Sequence, residues 1–102
     1  MSRDANKVLN EIIGEPLTFG LMIKNIRLTD YEGMTQKEFA NMLGLSVTRL
    51  SDIENDRKPT SIKKAIELAN QLGQSKRFFI ATIFQDMLNT HHLNYNVDLI
   101  MA

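Results

Sequence analysis

Apolar positions in the middle of the chain recur in two short helical stripes with one glycine between them. Phe39, Ala40 and Leu43 form the first stripe, and Leu50 and Ile53 the second. Spacings of three and four residues put each set on one helix face. The polar residues at the borders suit helix ends. Thr35 is followed three residues later by Glu38, the pattern of a capping box in which each side chain satisfies an unpaired amide at a helix start. Met34 and Phe39 are placed to staple that start together. Gly44 ends the first helix where a left-handed residue is cheapest. Only Leu45 intervenes before Ser46, a second N-cap, with Leu45 and Leu50 as its staple. The pattern predicts two short helices joined by a tight glycine turn.

Further helices flank the pair. Thr18 caps one, with Leu17 and Met22 as staple and Leu21, Met22, Ile26 and Leu28 as its apolar side. Residues 29–33 are polar and hold a loop. Beyond the pair, residues 55–60 form another loop, in which Pro59 forbids helix continuation. Ser61 then caps a helix with Ile62, Ala65, Ile66, Ala69 and Leu72 buried, and Gly73 ends it. Ser75 caps the last helix. Its apolar residues, Phe78, Phe79, Ile80, Ile83, Phe84, Met87 and Leu88, make a surface wider than one small core needs. Either an interface or the first helices must cover it.

The two ends differ from this middle. Val8, Leu9, Ile12 and Ile13 form a stripe over residues 4–13 before Gly14-Glu15-Pro16 breaks it. That stretch is either a short amphipathic helix or an arm. At the other end Leu93, Tyr95, Val97 and Leu99 alternate with Asn94, Asn96 and Asp98, a strand pattern. No second strand is readable elsewhere, so the segment is either a disordered tail or paired with a strand of another molecule, and the good strand formers Tyr95 and Val97 favour the pairing. The expected fold is all-α: five helices with a short N-terminal helix and a C-terminal β-strand added. Residues 1–16 make the arm, 17–90 the main domain, and 91–102 a dimer or partner contact.

At roughly 100° per residue, Leu50 and Ile53 mark one face of the second helix of the pair. Thr48, Ser51, Asp52 and Asn55 fall opposite, with Val47 and Arg49 at the flanks. Short hydrogen-bonding side chains of this kind let a helix sink into the major groove and meet base edges. Two helices with a tight turn and such a face read as a helix-turn-helix.

Gln36 opening the unit, Ala40 at the helix crossing, Gly44 in the turn, Phe39, Leu43, Leu45, Leu50 and Ile53 at the apolar positions, and the closing Ile53-Glu54-Asn55 together resemble the Cro/cI-type (Xre) helix-turn-helix family. The resemblance covers residues 17–73. It implies a five-helix, lambda-repressor-like domain that binds double-stranded operator DNA as a dimer, with the second helix in the major groove. It also implies a pair between Arg27 and Glu54 that is architectural. The implied DNA face comprises Gln36, Val47, Thr48, Arg49, Ser51, Asp52, Asn55, Arg57 and Lys58, with Arg57 and Lys58 as phosphate clamps. Where many members carry Gln or Arg on the reading face, this chain has Asp52.

Composition narrows the partners. The 102 residues suit one domain, and there are no cysteines, hence neither a disulfide framework nor a thiolate metal site. No apolar run reaches the roughly 18 residues of a membrane span, and the first residues lack a signal-peptide apolar region. A cytoplasmic protein without membrane contact is expected. Twelve basic and twelve acidic residues cancel, which argues against a non-specific nucleic-acid coat protein. Charge is nevertheless segregated. Arg57, Lys58, Lys63, Lys64, Lys76 and Arg77 face one acid, Glu67, and no Lys or Arg follows Arg77.

His91-His92 is the one tempting metal pair, but adjacent helical residues point about 100° apart, and a cation at a helix C-terminus fits better. No metal and no cofactor is expected. No Ser/His/Asp spacing or phosphate-cradling glycine loop supports an enzyme. Two functions stand nearly level: a repressor acting on a near-palindromic operator, and an antitoxin that represses its own operon and holds a toxin protein.

Overall fold

The computed structural model describes residues 17–93 and 95–97. Five helices follow one another: α1 (Phe19–Asp30), α2 (Gln36–Met42), α3 (Val47–Glu54), α4 (Ile62–Leu72) and α5 (Lys76–Thr90). No strand occurs among the described residues. The helices converge on one core in which Ile23, Phe39, Leu50, Leu68 and Phe79 are fully enclosed. Phe19 and Phe79 meet edge to face across α1 and α5, with ring centroids 5.5 Å apart.

Each helix starts on the side chain that the sequence suggests. Thr18, Thr35, Ser46, Ser61 and Ser75 all accept from a backbone amide three residues on. The capping box at Thr35 is complete: Glu38 donates its N–H to Thr35 Oγ1 and accepts the Thr35 N–H at 2.8 Å. The Thr35 backbone N–H, and after it the Thr35 side chain, hold the Glu38 carboxyl below its ordinary pKa.

Four helices also end alike. After α2, Gly44 N–H donates to Asn41 O and Leu45 N–H to Ala40 O, the paired bonds of a Schellman turn. The same pairs follow α3 at Asp56 and Arg57, α4 at Gly73 and Gln74, and α5 at His92 and Leu93. In each the turning residue is left-handed: Gly44 at φ 70°, Asp56 at 54°, Gly73 at 65° and His92 at 57°. The pattern at His92 accounts for the histidine pair as a helix end. Asp56 and His92 hold without glycine a conformation that L-residues adopt reluctantly; for Asp56 the compensation lies in α1.

Three expected placements need correction. On α1 the buried stripe is Phe19, Met22 and Ile23, with Ile26 packed at its edge, while Leu28 is half exposed. Leu28 lies about 180° from Phe19 around the helix, on the solvent side. On α4 the buried set is Ala65, Leu68, Ala69 and Leu72, so Leu68 joins the core and Ile66 lies at its margin.

The expected C-terminal strand is not seen among the described residues: Leu93 and residues 95–97 carry no strand. Instead the Gln85 side-chain amide donates to Tyr95 O at 2.8 Å and accepts from Val97 N at 2.9 Å. One carboxamide on α5 thus supplies both partners that a neighbouring strand would have offered. Leu99 and the stripe at 4–13 lie outside the described residues.

Candidate nucleic-acid interface

The position of α3 is set by its buried stripe and by two joints at its C-terminal end. Leu50 and Ile53 are buried to within 2 %, which turns the opposite side outward as the angular reading requires. Val47 is 41 % exposed; Thr48 and Asn55 are exposed, and Arg49, Ser51 and Asp52 are half covered. The short polar side chains therefore form one surface of the molecule.

Beneath that surface Glu54, the last residue of α3, is buried and ties three helices together. Arg27, in the last turn of α1, reaches it in a two-pronged pair, Nε to Oε2 at 2.8 Å and Nη2 to Oε1 at 2.9 Å. These bonds push the Arg27 guanidinium above its usual pKa. Gln36 at the start of α2 donates Nε2 to Glu54 Oε1 at 3.1 Å. The Arg27–Glu54 pair is structural, as expected. Gln36, however, directs an amide N–H inward to Glu54, so it belongs to this joint as well as to the outer face.

A second joint, at Asp56 just past the same end of α3, ties it to the start of α1. The first three amides of α1 are each met by a side chain: Phe19 N–H by Asp86 Oδ2 at 2.8 Å, Gly20 N–H by Asp56 Oδ1 at 3.0 Å, and Leu21 N–H by Thr18 Oγ1 at 3.0 Å. Thr18 in turn donates its hydroxyl to Asp56 Oδ2 at 2.6 Å. Two carboxylates at the positive end of a helix are electrostatically favoured, and these bonds offset the left-handed strain at Asp56. Gly20 makes the approach possible. A Cβ there would lie 2.2 Å from Ile53 O and 2.5 Å from Asp56 Oδ1.

Sequence reading missed Gly20, Asp56 and Asp86. Asp56 directly after the Ile53-Glu54-Asn55 run was open to notice; Asp86, distant in sequence, gave no signal.

The two cations after α3 do not stand free. Arg57 Nη1 lies 3.1 Å from Asp52 Oδ1 and 3.0 Å from Ser51 Oγ, and Lys58 Nζ lies 3.9 Å from Asp52 Oδ2. Asn55 Nδ2 bonds Ser51 O at 2.9 Å. The structure thus gathers Ser51, Asp52, Asn55 and Arg57 into one hydrogen-bonded patch beside Thr48, with Lys58 joined to it by an ion pair. A profile of the helix-turn-helix family matches residues 23–79, a span that holds α2, α3 and the joint of Arg27, Gln36 and Glu54.

The chain belongs to the Cro/cI-type helix-turn-helix family.

No match is found among curated proteins or solved structures. As a helix-turn-helix protein it is a DNA-binding transcription regulator. No described helix is long and apolar enough to cross a membrane. No cluster of three or more metal-ligating side chains occurs among the described residues.

Proposed function

We propose that the protein is a sequence-specific repressor that binds a near-palindromic operator as a homodimer and catalyses no reaction. The observation that carries this reading is the outward face of α3: short polar side chains over a buried Leu50–Ile53 stripe, with two cations directly after the helix. Val47, Thr48, Ser51 and Asp52 read base edges in the major groove, flanked by Arg49 and Asn55. Arg57, Lys58 and the outer side of Gln36 hold phosphates. One helix with so few reading side chains gives little discrimination alone. A two-fold pair on half-sites about one helical turn apart supplies the rest.

A second reading keeps the same DNA face and adds a partner: an antitoxin that represses its own operon and holds a toxin. Its support is the outer side of α5, where Phe84 is 39 % and Met87 53 % exposed. Either a second copy or a toxin would cover that side. Co-purification with the product of the neighbouring gene separates the two.

Selection of duplexes from a random pool tests the DNA reading. Thr48→Ala should shift the selected sequence, whereas Arg57→Ala should weaken every selected duplex and flatten its salt dependence by about one unit of slope. Binding of Arg57→Ala indistinguishable from wild type on every duplex would refute the docking.

A further inference from the structure

Asp52 sits on the reading face of α3, covered by the two cations that follow the helix. Its side chain is 16 % exposed, while those of Arg57 and Lys58 are 56 % and 69 % exposed. The carboxylate is sealed by cations whose other sides remain open to solvent. Backbone geometry enforces the arrangement. The left-handed Asp56 turns the chain back, and Arg57 N–H donates to Asp52 O at 2.9 Å. Arg57 is thereby anchored on the residue that its side chain pairs with.

A carboxylate here opposes DNA twice. It neutralises both nearby phosphate-binding cations, and it sets a negative charge against the backbone that they would approach. A residue with only these effects would weaken binding everywhere. An acid on a reading face has one further property: it accepts from the amino group of cytosine in the major groove.

We infer that Asp52 is a counter-charge gate that couples base readout to phosphate binding, a specificity role that rests on the DNA reading above. On a duplex without the matching base, the carboxylate keeps Arg57 and Lys58 and repels the backbone. Where the groove presents a cytosine amino group, Asp52 takes that donor and the two cations turn to phosphates. Ser51 Oγ, released by Arg57, becomes free for a base edge in the same movement. The restraint is modest, because ion pairs with exposed cations contribute little in water. A correct base contact can therefore open the gate, while an incorrect duplex is penalised several-fold.

The test compares the wild-type chain with Asp52→Asn on two probes, a duplex selected by the wild type and a random-sequence duplex, over a range of salt. The variant should bind the random duplex roughly three- to tenfold more tightly, as loss of two exposed pairs implies. Its salt slope should steepen by about one unit for each cation released to a phosphate. The selected duplex should gain less, so the ratio of the two affinities falls and a preference for cytosine at one position relaxes. Random-duplex binding no tighter than wild type would overturn the gate.

A DNA-free arm reads the contact itself. The Arg57 Nε–Hε resonance of the free protein should move on Asp52→Asn while the melting temperature stays within a few degrees; an unmoved resonance would also overturn the proposal. Failure of both proteins to bind any duplex would instead remove the DNA reading, and the gate with it.

Discussion

Asp86 shows how one residue links the scaffold to pH. Burial pushes its carboxyl up to about 6 from an ordinary 3.8; the Phe19 N–H works against that rise, and the nearby Asp56 charge adds to it. Its Oδ1 is buried without a hydrogen-bond partner among the described residues, the arrangement that a protonated acid tolerates better than an anion. The folded state therefore holds this proton more tightly than the unfolded chain does. Stability from Asp86 is greatest below pH about 4, falls as pH rises to about 6, and is flat above. Glu38, with its pKa lowered, acts in the opposite sense and below its ordinary value of 4.5, so it leaves most of the Asp86 window clear. Asp86→Asn keeps an acceptor for Phe19 and removes the charge. At pH 7 it should raise stability by roughly 1–2 kcal/mol after allowance for the side chain's partial exposure, and the advantage should shrink toward pH 4.5. Thermal melts of both proteins across pH 4.5–7.5 check this; parallel curves would contradict it.

At the scale of elements, the reading helix is held by its two joints, and these were unequally legible in the sequence. Caps and turns rest on neighbours within five residues. That is why Thr18, Thr35, Ser46, Ser61, Ser75, Gly44 and Gly73 could be placed from the chain alone. The Arg27–Glu54 pair was legible only through family resemblance, since its partners lie 27 residues apart. The clasp of Asp56 and Asp86 on α1 depends on how α1 crosses α3 and α5, which no local pattern encodes. The C-terminal segment has the same origin: alternation over residues 93–99 resembles a strand, but among the described residues Gln85 on α5 answers the backbone groups of Tyr95 and Val97. Gly20 gives the crossing of α1 and α3 a sharp test. By propensity alone Gly20→Ala should stabilise α1 by about 1 kcal/mol. The clash with Ile53 O and Asp56 should reverse that sign and cost about 1–3 kcal/mol net, with operator binding weakened as α3 shifts. Chemical denaturation decides the sign, and a stabilised variant would show that the crossing is looser than drawn.

For the whole molecule, five capped helices enclose one core and present α3 outward. Charge follows the same division: Arg57 and Lys58 lie at the α3 side, whereas α5 beyond Arg77 carries no Lys or Arg and leaves Phe84 and Met87 exposed. The family membership makes the protein a DNA-binding regulator; the groove entered by α3 and the pairing of two copies are what the account adds. Protection of guanine N7 from methylation, mapped along a duplex selected by the wild-type protein, examines both together, because N7 is reachable only in the major groove. The account predicts two protected clusters about 10 base pairs apart, each lost when Val47, Thr48 and Ser51 are replaced by alanine. A bound duplex whose N7 atoms all stay reactive would contradict it.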